Sequence, residues 1–304
     1  MTGDAVKNGA VRSGVVCVGR LYCDLIFTDV PRLPTMGTEV YAGGFGLHAG
    51  GGACITAAHL AAHGRQSHLS SFLPSGPFGP TMKSEIKAAG VHLDLSRGAD
   101  PDLPLQVTAA LVGTEDRAFV TNRAGPAAPR LRAEQLREAG IAHMHIGELA
   151  TLIEMPELLN LARGAGLTVS LDCSWDESIV ATDAAQLIAA VDVFLPNAAE
   201  AARLTEMGIV APFAPLTVIK DGANGASAWK AGREVHVAAE RVKPVDTTGA
   251  GDAFNAGFLH AWLDGRALAE CLSAGNHAGA RAIGMRGGFG PLVAAQTAGL
   301  ETAP

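Results

Sequence analysis

Aromatic residues make up only 5% of this 304-residue chain, and no basic run offsets its net charge of −7. A nucleic acid or an anionic membrane would demand a patch of Lys and Arg, so neither is an expected partner. Cysteine is sparse too. Cys17, Cys23, Cys54, Cys173 and Cys271 are odd in number, scattered, and form no C-x-x-C pair. That argues against a disulfide framework and a structural zinc site alike. They read as buried free thiols of a reducing, cytoplasmic compartment. No long hydrophobic run exists. The first apolar stretch follows a polar, loose segment of residues 1–13 and is interrupted by Arg20 and Asp24, too soon for a signal peptide or a membrane span. His59 and His63 stand four apart on an expected helix without a third ligand, so they read as packed or surface histidines. Two nucleotide signatures are also missing. No G-x-x-x-x-G-K-[ST] occurs, and no G-x-G-x-x-G sits between a strand and a helix, which excludes a P-loop enzyme and a Rossmann site.

What the chain does have is material for a large core: 48% of its residues are apolar and 17% charged, which suits one globular domain. Short apolar runs at 15–18, 69–72, 143–146, 167–171, 191–195 and 216–219 predict strands. Helical periodicity over 53–62, 81–89, 133–139, 157–165, 184–190, 198–206 and 268–283 predicts helices between or after them. Such alternation, with continuously hydrophobic strands, predicts an α/β fold with a mostly parallel central sheet covered on both faces. Ligands of such sheets bind beyond the carboxyl ends of the strands. Two segments break the pattern. Residues 21–46 carry Pro31, Pro34, Gly37 and a YAGGFG run, with short strands at 26–27 and 40–41; residues 105–121 read as a hairpin around Gly113–Asp116. Both would project from the α/β body.

The most informative stretch is Val245-Asp246-Thr247-Thr248-Gly249-Ala250-Gly251-Asp252-Ala253-Phe254. Phe254, Phe258, Ala261 and Trp262 recur at three- and four-residue spacing, so 252–264 reads as a helix with a buried face. Gly249 and Gly251 lack Cβ atoms, so the turn before this helix can take positive φ and let an anion touch the backbone. First-turn N–H groups and the helix dipole then favour that anion. Asp252 sits in the same turn as a candidate base, and an anion cradle beside a base is what phosphoryl transfer to an alcohol requires. A plain helix start, with Thr248 as cap and Asp252 as a favourable first-turn acid, is the alternative.

The run closely resembles the D-T-x-G-A-G-D signature of the ribokinase-like (PfkB) carbohydrate kinases, and the resemblance extends over about residues 14–292. It implies a three-layer ribokinase-like fold in which the two projecting segments form a β-lid. It also implies Asp252 as catalytic base, with Gly249, Ala250 and Gly251 as the anion hole. Asn197-Ala198-Ala199-Glu200 resembles the family's N-x-x-E motif, implying that Asn197 and Glu200 organise Mg²⁺ through water; the same residues also fit a helix capping box. Lys220, Gly222 and Gly225 match a segment lining the nucleotide site, where Lys220 is either a phosphate contact or an ordinary strand-end lysine. The family places adenine beside the helix bearing Asn276, although helix packing explains its small residues equally well. Thr248 joins the nucleotide set, and Asp246 with the Gly287–Gly290 loop matches the region that holds a monovalent cation such as K⁺ in many relatives. Asp24 corresponds to the family's sugar-binding aspartate, whose carboxylate accepts hydrogen bonds from vicinal hydroxyls. The stretch with Gly50 and Gly51 resembles the first family signature, except that the Asn expected to bind substrate is Ile55 here. Glu148 matches a sugar contact, and Arg123 is either a contact for an anionic or hydroxyl-rich group or a surface charge.

These expectations describe an ATP-dependent sugar kinase that needs Mg²⁺ and acts as a homodimer on a free sugar or sugar acid. A nucleoside kinase is the alternative, because Tyr22, Phe27, Tyr41, Phe45 and Phe119 put aromatic surface in or near the lid. A non-catalytic binder of sugar or nucleotide is a rival of another class, motivated by Ile55.

Overall fold

The computed structural model describes residues 12–113, 117–174, 176, 179–242, 247–284, 288–289 and 292. Fourteen strands are found among them: β1 (Gly14–Val18), β2 (Tyr22–Thr28), β3 (Gly44–Gly50), β4 (Ser67–Ser70), β5 (Phe72–Leu73), β6 (Arg97–Gly98), β7 (Val107–Val112), β8 (Arg117–Asn122), β9 (Ile141–Ile146), β10 (Thr168–Asp172), β11 (Val193–Leu195), β12 (Leu216–Lys220), β13 (Ala226–Lys230) and β14 (Arg233–Val237). Eight of them form the central sheet in the order β14-β13-β12-β11-β10-β9-β1-β4. It is parallel from β12 to β4, with β13 and β14 added antiparallel at one edge.

Period-two alternation divides the core. Val15 and Cys17 of β1 face helices α1 (Gly52–Ala62), α8 (Ala250–Leu263) and α9 (Leu268–Ile283), with α2 (Gly79–Ala88) beside them. Val16 and Val18 face the opposite layer of α3 (Ala133–Glu138), α4 (Leu149–Glu154), α5 (Glu157–Ala165), α6 (Ala181–Ala189) and α7 (Ala198–Glu206). Both faces are therefore apolar, as a parallel sheet requires. Phe258 on α8 has no exposed surface, and truncating such a ring to Ala costs about 3–5 kcal/mol. Helices α8 and α9 meet closely because Gly257 and Gly275 are small: a Cβ on Gly257 would lie 2.5 Å from the Ala274 carbonyl oxygen, and one on Gly275 would lie 2.8 Å from the Phe254 ring. The small residues around Asn276 thus serve helix packing. All five cysteines are buried and free.

The two segments expected to project as a lid form a second sheet, ordered β3-β2-β7-β8. The expected hairpin is present as the antiparallel pair β7–β8. The short strand expected at 40–41 is not; those residues are loop, and the strand begins at Gly44 inside the glycine run. The reason lies in the close approach of β2. A Cβ on Gly43 would come 2.8 Å from the Asp29 side chain, one on Gly44 would come 2.5 Å from the Thr28 hydroxyl, and one on Gly50 would run into the Asp24 carboxylate. Glycines that look like turn formers in the sequence are needed here for strand packing. Helix α4 and strands β13 and β14 are further elements that the periodicity does not single out.

Candidate active site

Parallel strands deliver their carboxyl ends to one edge of the sheet, where an open α/β sheet binds ligands. There β1 runs into Gly19 and Arg20, β9 into Gly147 and Glu148, β11 into Asn197, while β10 and β12 end on Asp172 and Lys220. Helix α8 starts at the same edge, and Asp252 in its first turn faces the start of α1: a Cβ on Gly52 would lie 3.0 Å from Asp252 Oδ1.

The two motif glycines differ. Gly249 caps the helix with φ 73°, in the left-handed region, and a Cβ there would meet Gly288 Cα at 3.0 Å and Ile55 Cγ2 at 3.1 Å. Its lack of a side chain is demanded by the chain itself. Gly251 has helical geometry, and among the described residues a Cβ there would meet only the Lys220 ammonium, at 3.5 Å. The fold would tolerate a side chain at 251, so the open space beside that backbone is available to a ligand. No side chain caps this helix start, and its first-turn N–H groups have no acceptor within the helix.

Burial raises the Asp252 carboxyl well above its usual range; Asp172 acts in the same sense, and Lys220 opposes. A carboxylate made more basic in this way is suited to accept a hydroxyl proton near neutral pH. Beneath it, Lys220 Nζ donates to Asp172 Oδ1 at 2.9 Å and to Asn255 Oδ1 at 3.1 Å, and Asn255 Nδ2 donates to Asp172 Oδ2 at 2.6 Å. Burial works against the lysine's charge, yet Asp172, Glu200 and Asp252 together hold its pKa above the ordinary value. Lys220 is therefore a structured ion pair at the edge of the cradle, not a free strand-end lysine. Asp172 and Asn255 escape notice in the sequence; the only signals are an acid closing a strand and an amide three residues after Asp252.

Asn197 and Glu200 form the complete capping box of α7. The Glu200 N–H donates to Asn197 Oδ1 at 2.9 Å, and the Asn197 N–H donates to Glu200 Oε2 at 2.7 Å. Both side chains offer oxygen, the donor a hard cation takes, so the pair fits Mg²⁺ chemistry as well as capping.

On the lid side, Asp24 and His48 are cross-strand partners on β2 and β3. His48 Nδ1 lies 2.9 Å from Glu85 Oε1 of α2, and Glu85 Oε2 accepts the Ala49 N–H at 2.7 Å, tying the lid to the body. Burial pushes the Asp24 carboxyl up to about 7; His48 opposes this, Glu85 adds to it, and a hydrogen bond from Thr108 opposes it. Glu148 is raised mainly by burial, while Arg20 counteracts, and its Oε1 accepts the Arg20 N–H at 3.4 Å. Burial, with Glu148 adding, lifts the neighbouring Tyr22 to about 12, and Arg123 hydrogen-bonds to it. Arg123 also pairs with Asp176, so this arginine belongs to a charged cluster. Gly51 takes φ 96° and lies against the Arg20 carbonyl.

Other expected contacts take different roles. Ile55 packs on the backbone of Gly249 and Gly288, bracing the cradle from behind. Asn276 Nδ2 donates to the Val237 and Ala238 carbonyls at 2.9 and 3.3 Å, tying α9 to the end of β14 rather than presenting its amide to a base. Gly225, with φ 98°, lets the same strand end pass, whereas Gly222, φ 51°, opens a 3-10 turn with open space around it. Thr248 is half-buried in the turn before Gly249. Asp246, Gly287 and Gly290 lie outside the described residues. His59 is buried with Nε2 2.9 Å from the Gly288 carbonyl oxygen, a packed histidine. The lid aromatics divide by register: Phe27 and Phe45 point to the face opposite Asp24, while Phe119 shares the face of Asp24.

Comparison with known proteins identifies the family. An uncharacterized sugar kinase of Archaeoglobus fulgidus is 39% identical over 113 residues, a match spanning 33% of this chain and 43% of that protein. The fructoselysine 6-kinase of Shigella flexneri is 27% identical over 79% of this chain and 92% of its own length. The structure of Arabidopsis thaliana ribokinase complexed with ribose and ATP superposes with a TM-score of 0.75 at 20% identity, covering 93% of this chain and 98% of that one. The profile of the pfkB family carbohydrate kinases matches residues 12–294. With the cradle and its carboxylate assembled at the strand ends, that match makes the chain a member of the pfkB family, a phosphotransferase acting on a carbohydrate hydroxyl.

Proposed function

We propose that the protein transfers the γ-phosphoryl group of ATP to a hydroxyl of a free sugar or sugar acid, with Asp252 as the base. The observation that carries this reading is the pairing of open backbone at Gly251 with the basic Asp252 carboxylate in one helix turn. Asp252 takes the proton as the acceptor oxygen bonds to phosphorus, and the bond from phosphorus to the bridging oxygen breaks to release ADP. The N–H groups of Gly249–Asp252 hold the charge that develops on the transferred group, so catalysis rests on positioning and electrostatics. Asn197 and Glu200 would hold Mg²⁺ through water; the ion would neutralise phosphate charge.

Asp24 and Glu148 offer carboxylates to hydroxyls, and Arg123 beside Tyr22 suits an acidic or hydroxyl-rich substituent. Phe45 points away from the Asp24 face while Phe119 shares it, so Phe119 is the lid aromatic that a nucleoside base would stack on, and the sugar reading rests on the carboxylates of Asp24 and Glu148. Incubation with MgATP and a panel of ribose, fructose, 2-keto-3-deoxygluconate and adenosine, read as ADP released, tests the reading. Turnover on adenosine alone would replace it with a nucleoside kinase, and silence on a broad panel would favour a binding protein. The buried free thiols fit a reducing cytoplasm. The lid face carrying Leu25, Phe27, Phe45 and Val120 suits a second copy of the chain, because Phe45 is 63% and Val120 68% exposed.

A further inference from the structure

The closed ring of Lys220, Asp172 and Asn255 joins three elements, β12, β10 and α8, directly under the anion cradle. A lysine ammonium has three N–H donors. Two are engaged by Asp172 and Asn255, and no described residue accepts the third. The side chain is only 11% exposed, so little water competes for that donor. The ammonium also stands in ordinary contact distance, 3.5 Å, of the point where a Gly251 side chain would begin. A buried charge with a donor left over, at the edge of a cavity for an anion, is positioned for an oxygen that the protein does not itself supply.

We infer that Lys220 donates its third N–H to the phosphoryl group in transfer, and that Asp172 and Asn255 are positioning residues that aim it. This rests on the reading of the cradle as the phosphoryl site and adds a side-chain donor to its backbone N–H groups. Asp172 and Asn255 serve a purpose that a plain salt bridge would not need. Held at two corners, the ammonium cannot rotate its remaining donor away from Gly251. Since Asn255 lies on the same helix as Asp252, donor and base keep a fixed separation.

Removing Lys220 alone would leave Asp172 as a buried unpaired charge, which is strongly destabilising. The test is therefore the double variant Lys220→Met/Asp172→Asn, which removes both charges together, compared with Asn255→Ser, which frees the ammonium but keeps the ion pair. With an accepted sugar as substrate, the double variant should lose about 10²-fold in kcat, the loss typical of one transition-state donor. Its acceptor KM and melting temperature should stay close to wild type. Asn255→Ser should lose about tenfold in kcat with the same unchanged KM, a split that a merely structural role would not give. A folded double variant with kcat within threefold of wild type overturns the inference, as does a normal kcat in Asn255→Ser should the double variant not fold. The underlying reading is tested separately by calorimetric titration of wild type with MgATP. Absence of binding there sinks the kinase assignment, whereas binding together with unaffected variants sinks only the role of Lys220.

Discussion

At the scale of single residues, two carboxyls are made basic for different ends. Asp252 is basic because it is buried beside Asp172, and its replacement by Asn keeps the shape while removing the proton acceptor. Loss of a general base costs about 10²–10⁴-fold in rate, so Asp252→Asn should lose turnover while MgATP still binds in a calorimetric titration. A near-normal kcat would remove Asp252 from the base role. Asp24, pushed up to about 7 by burial, must be ionised to accept hydrogen bonds from two hydroxyls at once. Acceptor KM should therefore fall as pH rises to about 7 and then level, and Asp24→Asn should remove that dependence while the rate limb set by Asp252 remains. The linked effect on stability has the opposite sign. Between the ordinary carboxylate range and about 7 the folded chain retains a proton that the unfolded chain has released, so this group favours the fold less as pH rises. Melting curves from pH 4 to 8 should show Asp24→Asn gaining on wild type toward pH 8; no relative gain would mean that Asp24 is not the titrating group.

Elements explain why part of the site can be read from sequence and part cannot. Helices α5, α7 and α9 begin and end where the apolar periodicity and the capping box imply, because those signals are local. The cradle is legible for the same reason, since two glycines and an acid lie within four residues. Lys220, Asp172 and Asn255 come from three elements far apart in the chain, so no local signal betrays that they meet. The lid strand β3 hides behind its glycines, whose use depends on side chains of β2. At the start of α8 the two motif glycines yield a paired expectation. Gly249→Ala must hold a side chain at φ 73° against Gly288 and Ile55, and the left-handed conformation alone costs about 1–2 kcal/mol, so its melting temperature should fall. Gly251→Val meets no backbone among the described residues outside its own helix and should melt close to wild type while losing MgATP turnover. Equal damage to stability in both variants would show that the space at 251 belongs to the fold rather than to a ligand. Glu200→Gln separates the two functions of the α7 start in the same manner. The amide still accepts the Asn197 N–H, so stability should hold, while the Mg²⁺ concentration for half-maximal activity rises if the charge serves the ion.

Across the whole molecule, the proposed substrate carboxylate and the exposed apolar side chains of Phe45 and Val120 share one sheet, β3-β2-β7-β8. Its sheet is anchored to the body at one end, through Glu85 on His48 and Ala49, and it ends in an edge strand, β8. One face bears Asp24, the carboxylate proposed to take the substrate hydroxyls. The opposite face carries Leu25, Phe27, Phe45 and Val120, while Leu47 on that face packs on the core, and the rings of Phe27 and Phe45 pack at 5.3 Å between centroids. Strands this apolar on an outward face, beside an open edge, are either covered or prone to aggregate. A second lid related by twofold symmetry would cover them, since the same patch then meets itself. Light scattering on the eluting protein should accordingly give twice the mass of one chain. Phe45→Asp with Val120→Asp should give a monomer, because both side chains are largely exposed in the single chain and their charges would be desolvated only in the pair. Melting of the monomeric variant should change little, while its acceptor KM rises as the lid loses the brace that holds Asp24 over the substrate. A wild type that elutes as a monomer would leave the apolar lid face without this partner, and a variant dimer of undiminished mass would place the contact elsewhere on the surface.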